Sequence, residues 1–174
     1  MNPQPVHDLI IRSLREKDLP GLEWDGEYRH FRRLYRRFFE QMQQGRRMIL
    51  VAEVEQEIIG QAFVQYFIHR EDLPPSLQPG YLHAVRVKET FQNQGIGTIL
   101  IEQAENVMRR KDMNCSVIAV EKTNPDARRL YERLGYRYFA DDDGEWSYQD
   151  DRGIYRFVSS PAHLLRKNLQ ARQS

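Results

Sequence analysis

Apolar residues recur along this chain with two different periods, and each change of period marks a new element. Leu9-Ile10-Ile11 is a short apolar run that reads as a first strand, after which Asp18 and Pro20 open a helical turn. From Glu27 to Gln43 the spacing is helical, with Tyr28, Phe31, Tyr35, Phe38, Phe39 and Met42 on one face. Met48 to Glu53 and Ile58 to Ile68 read as an antiparallel pair around the polar turn Glu55-Gln56-Glu57. His69 to Gly80 carries Pro74, Pro75 and Pro79 and is a loop, because proline removes backbone donors. Tyr81 to Val87 is a strand, Gly95 to about Arg110 an amphipathic helix, and Cys115 to Val120 a strand. Asn124 caps the next helix, Pro125 takes its first position and Gly135 supplies a left-handed stop. Ala127, Leu130, Tyr131 and Leu134 form its apolar face. Tyr136 to Phe139 and Ile154 to Val158 finish the sheet across an acidic connection. After Pro161, a short amphipathic tail with Leu164, Leu165 and Leu169 among Arg166, Lys167 and Arg172 docks on the body or a partner, or frays.

No repeat or low-complexity tract interrupts this order, so a single domain over residues 1–174 is expected, with its core at about 9–158. A length of 174 residues is enough to bury a real core. Net charge is +1, with 26 basic and 25 acidic residues, which leaves no global field to attract nucleic acid. The longest apolar run, Met48 to Ala52, is far short of the ~20 residues of a membrane span. No basic-then-apolar signal pattern opens the chain. Cys115, the one cysteine, has no intramolecular partner. Together these features make a cytoplasmic protein, with neither nucleic acid nor membrane as partner, the simplest expectation. His7, His30, His69 and His163 have no metal-ligand spacing. Asp141 to Asp143 and Asp150-Asp151 lack the glycine of a calcium loop and read as exposed turns, so no metal is expected.

Chemistry concentrates in Gln92-Asn93-Gln94-Gly95-Ile96-Gly97-Thr98, where the strand Tyr81–Val87 feeds a helix start. The first turn of a helix offers unpaired N–H groups and partial positive charge, and glycines let a phosphate approach them. A dinucleotide fingerprint needs a further glycine where Leu100 stands, and a nucleotide-triphosphate loop needs a lysine after Gly97, where Thr98 stands. What remains, Gln-x-x-Gly-x-Gly, resembles the pyrophosphate loop of the GNAT N-acetyltransferase superfamily. The segment from Asn124 through Ala127 and Tyr131 to Gly135-Tyr136 is similar to a second signature of the same superfamily. Both motifs occur in order, and the resemblance extends from about Ile10 to Val158.

The resemblance implies an α/β fold of the α+β type, a mixed and mostly antiparallel central sheet flanked by helices. It implies transfer of an acetyl group from acetyl-coenzyme A, a co-substrate, directly to the amine of a small molecule or protein. Backbone groups from Gln92 to Thr98, with Asn93, Gln94, Gly95, Ile96 and Gly97 between, would hold the diphosphate. Val85 and Val87 would bond the pantetheine arm through their main chain, while their side chains read as core. Asn124 is either a cofactor contact or simply the helix cap. Tyr131 would protonate the departing thiolate, although its spacing equally fits a core tyrosine. A backbone N–H near Ala84 or Val85 would meet the oxyanion. His83 is the candidate base or proton relay, against the alternative of a buried histidine satisfied by a carbonyl; Tyr81 and Glu53 stand behind it. Arg29, Arg32, Arg33, Arg36 and Arg37 read as a solvated face, or else as a binding stripe for an acidic acceptor. A homodimer fits the resemblance without the sequence selecting a surface. The competing reading is a non-catalytic acyl-coenzyme A sensor or interaction module on the same fold.

Overall fold

The computed structural model describes residues 6–169. Its strands are Ile10–Ser13 (β1), Arg47–Val54 (β2), Glu57–Gln65 (β3), Pro79–Val87 (β4), Cys115–Glu121 (β5), Arg137–Asp142 (β6), Glu145–Gln149 (β7), Tyr155–Ser159 (β8) and Ala162–Asn168 (β9). The α-helices are Arg32–Gln43 (α1), Ile96–Arg110 (α2) and Pro125–Arg133 (α3). Seven strands form one sheet in the order β1-β2-β3-β4-β5-β9-β6, antiparallel throughout except where β4 runs parallel to β5. This is the mixed, mostly antiparallel sheet flanked by helices that the resemblance implied.

Alternation along β2 and β3 sorts their side chains onto the two faces of the sheet. On one face Ile49, Val51, Ile58 and Phe63 pack with Leu19, Leu22, Tyr35 and Phe39 beneath α1. On the other, Leu50, Ala52, Ile59, Ala62, Val64 and Leu82 pack with Ile96, Leu100, Ile101, Ala104 and Met108 of α2. Between β2 and β3, Glu55 and Gln56 both take positive φ, 49° and 68°, the turn geometry that suits the twist of a two-residue hairpin.

Helix α1 starts at Arg32 rather than at Glu27. Residues Glu16–Gly26 form a 3-10 segment instead, in which Trp24 and Asp25 turn left-handed with φ of 43° and 56°. Arg12 ties this segment to the sheet through Asp18 at 2.6 Å and Glu53 at 2.7 Å.

The far end of the chain departs most from expectation. Ile154 to Val158 does not finish the sheet: β8 pairs with β7 in a separate two-stranded ribbon, leaving Phe157 85% exposed. The expected tail supplies the missing strand, since β9 inserts between β5 and β6 with Leu164 and Leu165 buried. Arg172, at the end of that tail, lies outside the described residues. Asp150 is likewise buried rather than an exposed turn. It accepts from the N–H groups of Arg152 and Ile154, each at 2.9 Å, and pairs with Arg156.

Candidate active site

The backbone of β4 creates the opening in which the expected chemistry would take place. Opposite β3 the register shifts between Gln61↔Arg86 and Phe63↔His83, and Ala84 takes φ of 50°. Such a bulge bends a strand. Pairing with β5 stops at Leu82↔Ile118, although β4 continues to Val87 and β5 to Glu121. Past Leu82, the β5-facing backbone of β4, including Val85 and Val87, therefore has no strand partner. An extended ligand can take that place.

The loop that follows is braced by its own glutamines. Gln92 Nε2 donates to Val87 O at 2.9 Å and Gln94 Nε2 to Thr90 O at 3.3 Å. Asn93 and Gly95 make the turn with φ of 60° and 82°. Gly95 is the N-cap of α2 and offers no side-chain cap, so the first N–H groups of the helix, toward Gly97 and Thr98, are left without one. A Cβ at Gly95 would meet nothing within 4 Å, and one at Gly97 only Val87 Cγ2 at 4.0 Å. Packing therefore does not require Gly97 to be glycine, and the space before the helix end is open. Ile96 is buried and anchors the turn to the core. These features fit a diphosphate bound to backbone donors.

Tyr131 projects from α3 into the same apolar cluster as Ile96, Val85 and Val87. Asn124 begins that helix as a cap, its side chain accepting from Ala127 N at 3.1 Å. Burial pushes the Tyr131 phenol up to about 12, with Tyr81 adding to the shift, so it is protonated at neutral pH. Tyr136 packs edge-on at 6.1 Å behind it. The Tyr136 hydroxyl lies 2.9 Å from Ser116 Oγ and donates to Glu105 Oε1 at 3.1 Å. Lys167 of β9 completes this buried network at 2.9 Å from Glu105. A glutamate on the apolar face of α2, between Ala104 and Met108, was its only mark in the sequence.

His83 packs against Phe38 and Phe63, toward α1, and its environment does not suit a base. Its ring stacks on Tyr81 at 5.0 Å and meets Phe38 and Phe63 edge-on. Nε2 lies 2.7 Å from Arg47 Nη1, a group that only donates, so the histidine lone pair accepts there. His83 is half-buried, with Nε2 held beside Arg47. Desolvation first and the Arg47 charge second push its pKa down to about 3. Of the two residues that stood behind it, Glu53 is committed to Arg12, and burial raises the Tyr81 phenol so that it stays protonated.

A sequence profile of the Acetyltransferase (GNAT) family matches residues 11–136. The chain belongs to that family. It is similar to N-alpha-acetyltransferase 30 of Xenopus laevis, 29% identical over 125 residues that are 72% of this chain and 40% of that protein. It is also similar to an N-alpha-acetyltransferase of Sulfurisphaera tokodaii, 28% identical over 122 residues, 64% of this chain and 72% of that protein. The match thus spans less than half the length of the frog relative. The paia N-acetyltransferase from Thermoplasma acidophilum in complex with coenzyme A shares the fold, with a TM-score of 0.66 at 15% identity over 92% of this chain and 99% of that one.

Beside this GNAT site the arginine face of α1 is mostly neutralised. Arg29 pairs with Asp151, Arg32 with Glu23 and Arg36 with Glu16, all on exposed arginines. An open groove of about 750 Å³ runs between α1, the 3-10 segment and the β7–β8 ribbon, lined by Leu19, Glu23, Tyr35 and Tyr148. It is separate from the glycine loop. Two buried or part-buried arginines that sequence reasoning missed, Arg47 and Arg86, lie on the α1 face with no carboxylate partner among the described residues. Their signal was a charge inside an apolar strand pattern. No group of three metal-binding side chains occurs among the described residues, and none of their helices is long and apolar enough to cross a membrane.

Proposed function

We propose that this protein transfers the acetyl group of acetyl-coenzyme A to an α-amine. The observation that carries the reading is the uncapped start of α2, with open space at Gly95 and Gly97, beside the point where β4 and β5 part. Acetyl-coenzyme A supplies the acetyl group as a thioester, and its sulfur is the leaving group. Backbone N–H groups of Gly95 to Thr98 hold the diphosphate, and the free edge of β4 at Val85 and Val87 aligns the pantetheine arm. An N–H at the Ala84 bulge stabilises charge on the carbonyl oxygen as the amine nitrogen bonds to its carbon. The carbon–sulfur bond breaks, and Tyr131 donates its proton to the sulfur.

The choice of an α-amine rests on the names of the two relatives and on proton bookkeeping. The α-amine at the start of a polypeptide has a pKa of ~7.7–8.0, against ~10.4 for an alkylamine such as lysine. A good fraction is already neutral at physiological pH, so a strong base is unnecessary, in keeping with an engaged, neutral His83. The amine proton leaves to water, and a proton from water restores the Tyr131 hydroxyl once coenzyme A has taken the original one.

Thermal unfolding with acetyl-coenzyme A, with NADH and ATP as controls, tests cofactor binding. A ligand at ~100 times its Kd adds ~2.7 kcal/mol and raises the midpoint. Thiol release with a panel of α-amines then tests turnover. Tyr131→Phe should lower kcat by ~10²-fold or more while the Kd for acetyl-coenzyme A stays put. Unchanged kcat in that variant would remove Tyr131 from the mechanism. Binding without thiol release from any α-amine would favour the non-catalytic module.

A further inference from the structure

Three buried side-chain atoms of the described residues have no hydrogen-bond partner: Trp24 Nε1, Gln61 Oε1 and Arg86 Nε. Arg86 links the three. Gln61 and Arg86 are cross-strand partners on β3 and β4. The Arg86 guanidinium lies 3.5 Å from the Tyr28 ring centroid and 5.5 Å from that of Trp24, and it donates to the Tyr35 hydroxyl. Unpaired buried polar groups are rare, because each loses its hydration without a replacement. Turning the Gln61 amide over gives no relief, because its Nε2 already donates to Ala84 O at 3.2 Å. Among the described residues no carboxylate pairs with Arg86, whereas Arg12, Arg29, Arg32 and Arg36 each have one. Trp24 is held over Arg86 by the left-handed turn Trp24-Asp25-Gly26, a conformation that disfavours non-glycine residues.

The chemistry left open is specific. It comprises two N–H donors, one on a cation, and one amide oxygen. A carboxylate satisfies both donors and pairs the Arg86 charge, which otherwise meets only the Tyr28 and Trp24 rings, and an N–H next to that carboxylate satisfies Gln61. A neutral carbonyl would leave the charge of Arg86 unpaired. The cluster lies directly behind the bulge, since Gln61 holds the carbonyl of Ala84, and Tyr35 also lines the open groove along α1. We propose that Arg86, Trp24 and Gln61 form a subsite that holds a carboxylate of the acceptor, the Trp24 turn opening to admit it. The subsite rests on the acetyl-transfer reading above and gives the α-amine substrate its second recognition element. Two sources carry this chemistry: a polypeptide whose first residue is Asp or Glu, which the proton bookkeeping above favours, and a free α-amino acid through its α-carboxylate.

The chain has two tryptophans, so its indole N–H resonances are two, and Trp146→Phe assigns them. The protein, saturated with coenzyme A, is titrated in ¹⁵N-detected spectra with the common amino acids, their amides, and tetrapeptides starting with Asp or Glu against Asn or Gln. The Trp24 indole and the Arg86 Nε–H should shift with a carboxylate probe and not with its amide counterpart. Arg86→Gln should weaken that binding ~10-fold or more, and Arg86→Lys should restore part of it. Trp24→Phe, which keeps a ring and the arginine charge, should also bind more weakly; melting midpoints of each variant report whether it folds. Response to the amino acids alone assigns a small-molecule acceptor, and response to the acidic peptides a protein N-terminus. Silence from every carboxylate probe, or equal shifts with the amides, overturns the proposal in favour of internal water. Because the readout needs no turnover, carboxylate binding without acetylation would sink the acetyl-transfer reading alone. Acetylation indifferent to the carboxylate would sink the subsite alone.

Discussion

The imidazole of His83 has a guanidinium 2.7 Å from Nε2 and aromatic rings around it, so the fold stabilises its neutral form. Tyr131 is shifted by burial in the opposite direction and is also neutral at pH 7. The lowered histidine has a consequence for stability. Its pKa is about 3 in the fold, against ~6.5 in the unfolded chain. Between those values the unfolded chain binds a proton that the native chain does not, so stability from this group is complete above pH ~6.5 and falls as pH drops toward ~3. Each unit of that interval is worth ~1.4 kcal/mol. His83→Gln, which keeps an acceptor for Arg47, should flatten the fall between pH ~6.5 and ~4.5 in denaturant unfolding. An unchanged acid slope in the variant would show that His83 ionises freely. The position of this residue was legible in the strand pattern; its role was not. Arg47, which decides it, is 36 residues away in sequence and reaches it only across β3.

Elements with their own punctuation were read well, and those shaped by distant contacts were not. Helices α2 and α3 are announced by Gly95 and by Asn124-Pro125, and they form where expected. The late start of α1 follows from the turn at Trp24 and Asp25, which residue type does not suggest, since tryptophan rarely takes positive φ. Strand β9 was missed because Leu164-Leu165 among basic residues looks like an amphipathic tail until β5 and β6 flank it. At the helix start of α2, Gly97 separates packing from ligand binding. It lies inside the helix with open space at its Cβ position, so Gly97→Ala should leave the melting midpoint unchanged or raise stability by up to ~1 kcal/mol. The same methyl group projects toward the place of a diphosphate and should weaken acetyl-coenzyme A binding, measured by calorimetry. A destabilised variant with full affinity would make the glycine structural instead.

At the scale of the molecule, the sheet is held together by its last strand. β9 is the only described strand that pairs with β6, and it also covers β5, while Lys167 neutralises the buried Glu105 of α2. A chain ending at Pro161 should therefore lose cooperative melting and near-ultraviolet circular dichroism together. Retention of a sharp transition would make β9 dispensable. Synthesis proceeds from the N-terminus at ~5–20 residues per second, so every other part of the sheet leaves the ribosome before β9 does. Until then β5 presents an open edge beside Val117, Ile118 and Val120, the kind of edge on which nascent chains associate with one another. The strands that frame the cofactor opening are made early and become secure late, so a stalled or clipped translation product of this gene is a client for chaperones and proteases before it can be an enzyme.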